Sequence, residues 1–483
     1  MSDFAKQQVE NESKLSQATQ LMNLLEAFPV FYDQDNQVYI CITINAHTEV
    51  WDINSKNFEQ WMSHQYYLTY RRTISRASLS EVAIGLSGRA RFDSKYRQTF
   101  LRAAYSETGY WLDLGDPSWA GIHIEPGQWT GKPSCDPMFI RRESTMPLPL
   151  PLHNGVIDPL WGCINIPEKD RLLVITYLIE CLRPETHHPI LVLDGEQGSA
   201  KSTTQRMLKE LIDPSAMPLR VAPKKDQDLF IAAANDHLLS YNNLSSISPE
   251  QQDALCCLST GGTFATRQLY TNNAEVVVSI LRPVILNGIG TLITAQDLLE
   301  RSLYLELPIL TEYARQTDSE LNQRFEENRA GILGGLLNIM CKALALLPEM
   351  SKANLPRMAD FVLLGRAVAS VLGLDPSEFD QLYKDNQRRA LEKGLDTCPI
   401  YPALVRMLDD MPHGFYGNYS ELLQKLERFS DVRPQDWPKS AKGVSKIIKR
   451  QAAALRKINI NVVFDSVRYS EGYRVGIDKQ LGF

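Results

Sequence analysis

Residues 191–204 read LVLDGEQGSAKSTT. The apolar run 190–193 has the pattern of a short buried strand, and residues 203–212 carry apolar side chains at helical spacing. Between them stand Gly195, Gly198, Ala200, Lys201 and Ser202. Strand, glycine-rich turn, Lys-Ser and helix make the layout of a phosphate-binding loop. Such a loop wraps backbone N–H groups around phosphate oxygens, so small residues are needed where the main chain comes close. The following helix points its positive end at the anion. On this reading Gly195, Glu196, Gln197, Gly198, Ser199, Ala200, Lys201, Ser202 and Thr203 hold a nucleotide. Lys201 reaches the β- and γ-phosphates of ATP, and the Ser202 hydroxyl ligates Mg²⁺. The usual residue before the lysine is glycine; here it is Ala200, whose Cβ disfavours positive φ.

The composition is that of an ordinary globular protein: of 483 residues, 44% are hydrophobic and 22% charged, so core material is ample. That length sets a prior of roughly two to four domains. No run of eighteen apolar residues is present, so no membrane span is expected. The first seventeen residues are polar and lack a signal-peptide core. The eight cysteines form no CxxC pair and do not cluster with histidines, which argues against zinc and for a reducing, cytoplasmic setting. Cys256 and Cys257 lie in an apolar helical pattern and read as core. Net charge is −6, yet residues 411–483 carry 13 Lys+Arg against 7 Asp+Glu. A basic tail on an acidic body points to a polyanion partner at one end.

Along the chain, residues 1–27 read as a helix, residues 31–44 as a hairpin turning at 33–36, and 56–70 and 77–90 as helices. A strand-rich segment follows over 92–139, so the N-terminal part is an α+β domain. Its middle is basic through Arg71, Arg72, Arg76, Arg89, Arg91, Lys95, Arg97 and Arg102, with Tyr96 among them. That is either a face that touches DNA or a solvated face of mixed helices. The Pro-rich stretch 146–155 reads as a linker.

Past the loop helix, 237–243 reads HLLSYNN, an apolar strand ending in Asn242 and Asn243. A helix over 248–258 precedes Gly261-Gly262, strands at 264–270 and 275–280 around a turn at 271–273, and a buried strand whose first polar residue is Asn287. Asp297 and Arg301 then stand in a D-x-x-x-R spacing ahead of another apolar strand. Loop, strand with paired polar residues, GG…ATRQLY hairpin, LNG strand and D-x-x-x-R together resemble the superfamily 3 helicase ATPases. These are the AAA+ modules of poxvirus, phage, plasmid and genomic-island replication proteins. The similarity is strong over roughly residues 150–320 and is to the bacterial set that writes the loop GEQGSAKS.

The resemblance implies roles residue by residue. Asn287 would be the sensor that orients the attacking water, and Arg301 an arginine finger reaching a neighbouring subunit's ATP. Arg267 and Tyr270 on the hairpin would grip single-stranded DNA in the channel of a ring, expected to be a homo-hexamer. Plainer readings stand beside these: Arg301 as an ion-pair partner of Asp297 or Glu300, and the hairpin as an ordinary buried one. One position departs from the pattern. ATPases of the phosphate-loop type carry an Asp, often followed by a second acid, where Asn242 and Asn243 stand here. An amide brings no negative charge to Mg²⁺, so ATP binding is expected with more force than turnover. Asp194, Asp236, Glu250 or Asp253 are the other acids that could serve.

Residues 320–347, 356–372 and 376–393 read as helices packing on the nucleotide module. The last part, from Cys398, reads as helix, helix, helix and terminal hairpin, the winged-helix order. Its third helix carries Lys439, Lys442, Lys446, Lys449, Arg450, Arg456 and Lys457 and no acid over 437–457. With Lys442, Lys446, Lys449 and Arg450 on duplex phosphates, affinity would be salt-sensitive. The expected fold class is α/β: an N-terminal α+β domain (1–145), an AAA+ P-loop NTPase core (146–320), a helical lid (321–397) and a C-terminal winged helix (398–483). The expected function is ATP-dependent unwinding or origin handling for a mobile element. The rival is an ATP-gated DNA-binding or scaffold subunit that does not hydrolyse. A metabolic P-loop kinase would not explain the basic C-terminus.

Overall fold

The structure is a computed structural model that describes residues 15–44, 47–133, 137–267, 275–311, 316–470 and 472–479. The chain divides into two compact units: residues 1–150 with 213–216 and 235–237, and residues 151–212, 217–234 and 238–483. The division at 150 falls inside the Pro-rich stretch, and Leu148 donates its N–H to Leu114 O in the first unit. The remaining expected boundaries fall inside the second unit.

In the first unit, helix α1 (Gln17–Leu24) leads into a three-stranded antiparallel sheet of β1 (Val30–Tyr32), β2 (Val38–Ile44) and β3 (His47–Asp52). The expected hairpin is present with its register Val30↔Ile40; β3 was not expected. Helices α2 (Lys56–Tyr70) and α3 (Arg76–Phe92) follow. All three helices open on a serine whose hydroxyl accepts an N–H of the first turn: Ser16, Ser55 and Ser75. Their apolar faces bury Leu21, Phe58, Met62, Val82 and Leu86 against the inner side of β2. After the parallel pair β4 (Thr99–Phe100) and β9 (Met138–Phe139) is set, the chain between them forms a meander. Its strands are β5 (Ala103–Ser106), β6 (Gly109–Asp113), β7 (Ala120–Glu125) and β8 (Gln128–Pro133).

The second unit is built on a four-stranded parallel sheet. Its strands are β10 (Ile190–Asp194), β11 (Leu239–Leu244), β14 (Val284–Gly288) and β15 (Ser302–Glu306), in the order β11-β14-β10-β15. The first strand in sequence thus lies inside the sheet, paired with β14 and β15. Every residue of β10 and β14 is buried, as the continuous apolar runs require of parallel strands covered on both faces. Helix α4 (Arg171–Glu180) is apolar nearly all round and is buried from Leu172 to Glu180. Helices α5 (Lys201–Ile212), α6 (Asp226–Ala233), α7 (Pro249–Thr260) and α8 (Gln296–Leu299) connect the strands, with the antiparallel ribbon β12 (Thr263–Arg267) and β13 (Glu275–Ser279) between α7 and β14.

Three longer helices follow: α9 (Asp318–Leu346), α10 (Ala359–Val371) and α11 (Pro376–Leu395). By length and composition α9 could cross a membrane, but its apolar residues Leu333, Leu336, Leu337 and Met340 are core. A Cβ on Gly334 would fall 1.9 Å from Leu152 O, so glycine there lets the entering chain lie on the helix. Helix α11 covers the sheet edge at β15. Asn386 exchanges two hydrogen bonds with the backbone of Tyr304, at 2.9 and 2.8 Å, and Gln387 donates to Ser302 O at 2.7 Å.

The C-terminal segment runs α12 (Tyr401–Asp410), β16 (Phe415–Asn418), α13 (Tyr419–Arg428), α14 (Ala441–Lys457), β17 (Ile460–Tyr469) and β18 (Gly472–Lys479). The three strands form one antiparallel sheet in the order β16-β18-β17. The three expected helices and the hairpin are present; the short strand β16 was missed. Leu404, Leu422, Leu426, Val444, Ile448, Leu455, Val475 and Ile477 close its core.

Candidate functional site

The loop leaves β10 at the carboxyl edge of the parallel sheet, the edge at which open α/β sheets hold their ligands. Gly195 has φ +145° and Gly198 φ +89°. A Cβ on Gly195 would lie 2.7 Å from Leu307 O and 2.8 Å from Ser199 Oγ, so the turn closes only without a side chain. Ala200 sits at φ +55°, in the left-handed region. The departure from glycine therefore leaves the loop's shape intact and places strain of about 1–2 kcal/mol on one residue. Helix α5 begins at Lys201 rather than Thr203, so Lys201, Ser202 and Thr203 form its first turn, whose N–H groups have no partners within the helix. Glu196, Gln197 and Gly198 are exposed, and Ser199 is buried, its hydroxyl donating to Glu196 O at 2.8 Å.

The Lys201 ammonium folds back into the loop. It donates to Gly195 O, to Glu196 O at 2.9 Å and to Ser199 Oγ at 3.4 Å. Ser202 Oγ donates to Asn242 Oδ1 at 2.8 Å. The same Asn242 oxygen accepts Asn287 Nδ2 at 2.7 Å. Asn287 also donates to Gln205 Oε1 and accepts the Asn243 N–H at 2.8 Å. Gln205 in turn donates to Ser240 Oγ, Tyr241 O and Ile285 O at 2.9, 3.0 and 3.2 Å. Serine, two asparagines and a glutamine thus join the first turn of α5 to the ends of β11 and β14. Asn243, at φ +55°, is the residue at which β11 bulges out of register.

Asn287 and Arg301 stand at opposite ends of the sheet. Asn287 is fully buried and bonds to Asn242, Gln205 and the Asn243 N–H, so it is linked to the first turn of α5 through Asn242 and Ser202. Arg301 lies at the opposite end of the sheet, its carbonyl accepting the Ile190 N–H at 2.8 Å. That is about 13 Å of strand away from the loop, out of reach of its own site. Its guanidinium is paired with Asp297, which also binds Arg357 at 2.5 Å, and Glu300 holds Lys457 at 2.8 Å. Burial opposes ionisation of Asp297, but the Arg301 hydrogen bond and charge hold its carboxyl below the ordinary range.

Asn165, Gln205 and Lys393 were not singled out from the sequence. Asn165 donates through Nδ2 to Ser199 O at 3.0 Å and Pro308 O at 2.7 Å and through its N–H to Thr204 Oγ1 at 3.1 Å, clamping the loop from outside. Lys393 on α11 pairs with Asp194 at 3.4 Å, tying the helical region to the root of the loop. Gln205 had a signal: a polar residue on the buried face of an amphipathic helix must find partners.

On α14, Lys442, Lys446, Lys449 and Arg450 are all exposed, while Val444, Ile448, Ala452 and Leu455 face the core. The spacing of 4, 3 and 1 puts the four cations on one side. Tyr270 lies outside the described residues. Of Arg267 only the backbone is described, at the end of β12 opposite Glu275. Among the described residues no group of three or more His, Cys, Asp and Glu side chains is placed to hold a metal ion. Burial pushes the Cys256 thiol up to about 12.

A parallel sheet with a glycine-rich loop at its carboxyl edge and Lys-Ser opening the next helix defines a mixed α/β protein of phosphate-loop geometry. Residues 157–382 match the family of actinomycete integrative conjugative element replication proteins. Residues 400–479 match the C-terminal domain of that replication protein. Both matched regions are thus similar to the replication proteins of such elements. No curated protein matches it. Among solved structures, the SCCmec type IV Cch active helicase is similar at 12% identity and TM-score 0.49, over 94% of this chain and 92% of that one. The apo A form of the NrS-1 C-terminal region is similar at 14% identity and TM-score 0.42, over 95% and 98%.

Proposed function

We propose that the chain is an ATP-binding, superfamily 3 helicase-type AAA+ protein that handles DNA during replication of an integrative element. The observation that carries this reading is the loop. Gly195 admits close backbone approach, Lys201 holds its ammonium among the loop carbonyls, and the Ser202 hydroxyl stands at the helix start. Those residues fit a triphosphate. The N–H groups of the first turn of α5 would bind phosphate oxygens, and Lys201 would trade the carbonyls for the β- and γ-phosphates. Mg²⁺, when bound, would neutralise charge on the phosphates, with Ser202 Oγ and Asn242 Oδ1 as the oxygen donors this chain offers. Asn287 and Gln205 would keep Asn242 aimed at Ser202. Arg301, out of reach of its own loop, would serve a neighbouring subunit in a ring, reached by exchanging Asp297 for phosphate.

The C-terminal order helix–strand–helix–helix–strand–strand supports a winged helix with α14 laid along duplex DNA, and α9 to α11 support a lid over the core. Such work is done in the cytoplasm. A second reading, a subunit that binds ATP without turning it over, is favoured by the neutral Asn242–Asn243 pair. Phosphate release with and without single-stranded DNA separates the two. DNA-stimulated turnover lost in Lys201→Ala supports the motor. ATP binding without turnover supports the scaffold, and neither binding nor turnover defeats both.

A further inference from the structure

The first unit carries a second, separate concentration of positive charge. Residues 66–105 hold eight Lys+Arg and two Asp+Glu, +6 in a chain whose net charge is −6. Arg102 is not part of any surface, being fully buried and paired with Asp213 at 3.0 Å. The rest is exposed or half-buried, and part of it gathers where α3 ends. Phe92, the last residue of that helix, is 87% exposed, and Tyr96 is 50% exposed. A ring as bare as Phe92 has no part in the core, and Tyr96, which meets Tyr32 edge-on at 6.1 Å between ring centroids, leaves half its surface free.

Arg91, Lys95 and Arg97 alternate with these rings and are all exposed. Among the described residues, Lys95 and Arg97 make no ion pair. Lys95 and Arg97 also line a cavity of about 610 Å³ walled by Phe28 and Phe31, to which Phe92 and Tyr96 do not contribute. The carboxylates on the same rim are Glu26 and Asp93.

We propose that this end of the first unit is a binding site for single-stranded nucleic acid. Bases stack on Phe92 and Tyr96, and phosphates meet Arg91, Lys95 and Arg97. The chemistry is specific in kind. A duplex would offer phosphates but keep its bases stacked on one another, and an acidic peptide would meet the cations without bases to lay on the rings. Single strands use both at once. Phe92 and Tyr96 are four residues apart, at most about 14 Å of chain, so two or three nucleotides span them. The site lies in the first unit and does not depend on the reading of the nucleotide loop.

The test uses the full chain and a short oligothymidylate carrying 5-iododeoxyuridine. Photocrosslinking with peptide mapping is expected to place an adduct on Phe92 or Tyr96. Phe92→Ala with Tyr96→Ala is expected to lose that adduct and weaken binding by about fivefold or more. Replacing both rings by Trp is expected to keep both. Lys95→Gln with Arg97→Gln is expected to lower the slope of log affinity against log salt by about 1.4. Because Phe92 is so exposed, its truncation leaves the fold unchanged, which a melting curve verifies. Adducts found only elsewhere, unchanged affinity in the double-alanine protein, or equal displacement by polyglutamate would overturn the proposal.

Discussion

Asn242→Asp is the substitution in which the site's electrostatics can be worked through. Asn242 Oδ1 accepts from Ser202 Oγ at 2.8 Å and from Asn287 Nδ2 at 2.7 Å. Aspartate has the same shape and keeps an oxygen at that point, so both hydrogen bonds survive and become charge-assisted. Each such bond contributes about 1.5–3 kcal/mol, enough to offset much of the desolvation of a half-buried carboxylate. Folding stability is therefore expected to change by about 1 kcal/mol or less. The added charge stands beside the Ser202 hydroxyl, where a magnesium ion would be held. Single electrostatic groups at reacting centres are worth about 10²–10³ in kcat when removed, so restoring one is expected to raise ATP turnover about 10²-fold. The assay is steady-state phosphate release at saturating Mg-ATP, with the melting temperature measured in parallel. A folded Asn242→Asp protein that turns over no faster than the parent would refute the assignment of Asn242 to the metal side of the site.

Other outcomes follow from single features. Ala200→Gly removes a left-handed alanine, and after the entropy glycine loses on folding the net gain is about 0.5–1 kcal/mol. Slower amide exchange across residues 195–203 is expected, and faster exchange would contradict it. Lys442, Lys446, Lys449 and Arg450 together changed to Gln are expected to reduce the salt slope of duplex binding by up to about 3.6, at unchanged melting temperature. An unchanged slope would leave α14 a solvated face. Cys256, its thiol pushed up to about 12 chiefly by burial, is expected to resist iodoacetamide at pH 8 in the native protein and to react once unfolded in urea.

Much of the second unit could be read before any coordinate. The loop was legible because phosphate chemistry dictates residue types at fixed spacing, and strands β10, β14 and β15 because parallel strands buried on both faces are continuous apolar runs. The basic face of α14 was legible as a helical pattern of 442, 446, 449 and 450 against 444, 448 and 452. What sequence could not supply was tertiary. Asn287 follows an apolar strand, but its bonds to Gln205 and Asn242 come from elements distant in the chain. Asp297 lies one helical turn from Arg301, a spacing equally suited to an ion pair and to a free guanidinium. Asn165 lies far from the loop in sequence and resembles any loop asparagine. The strands β3 and β16 are short and carry no strong alternation, so neither announced itself.

The claim beneath the rest is that the amides from Gly195 to Thr203 receive a triphosphate with Lys201 at its end. Isothermal titration of Mg-ATP into the full chain, wild type and Lys201→Ala, tests this directly. The account predicts saturable binding of one ATP per chain by the wild type and its loss, or weakening by well over tenfold, in Lys201→Ala. Absence of heat with the wild type, or equal affinity in both proteins, would contradict it.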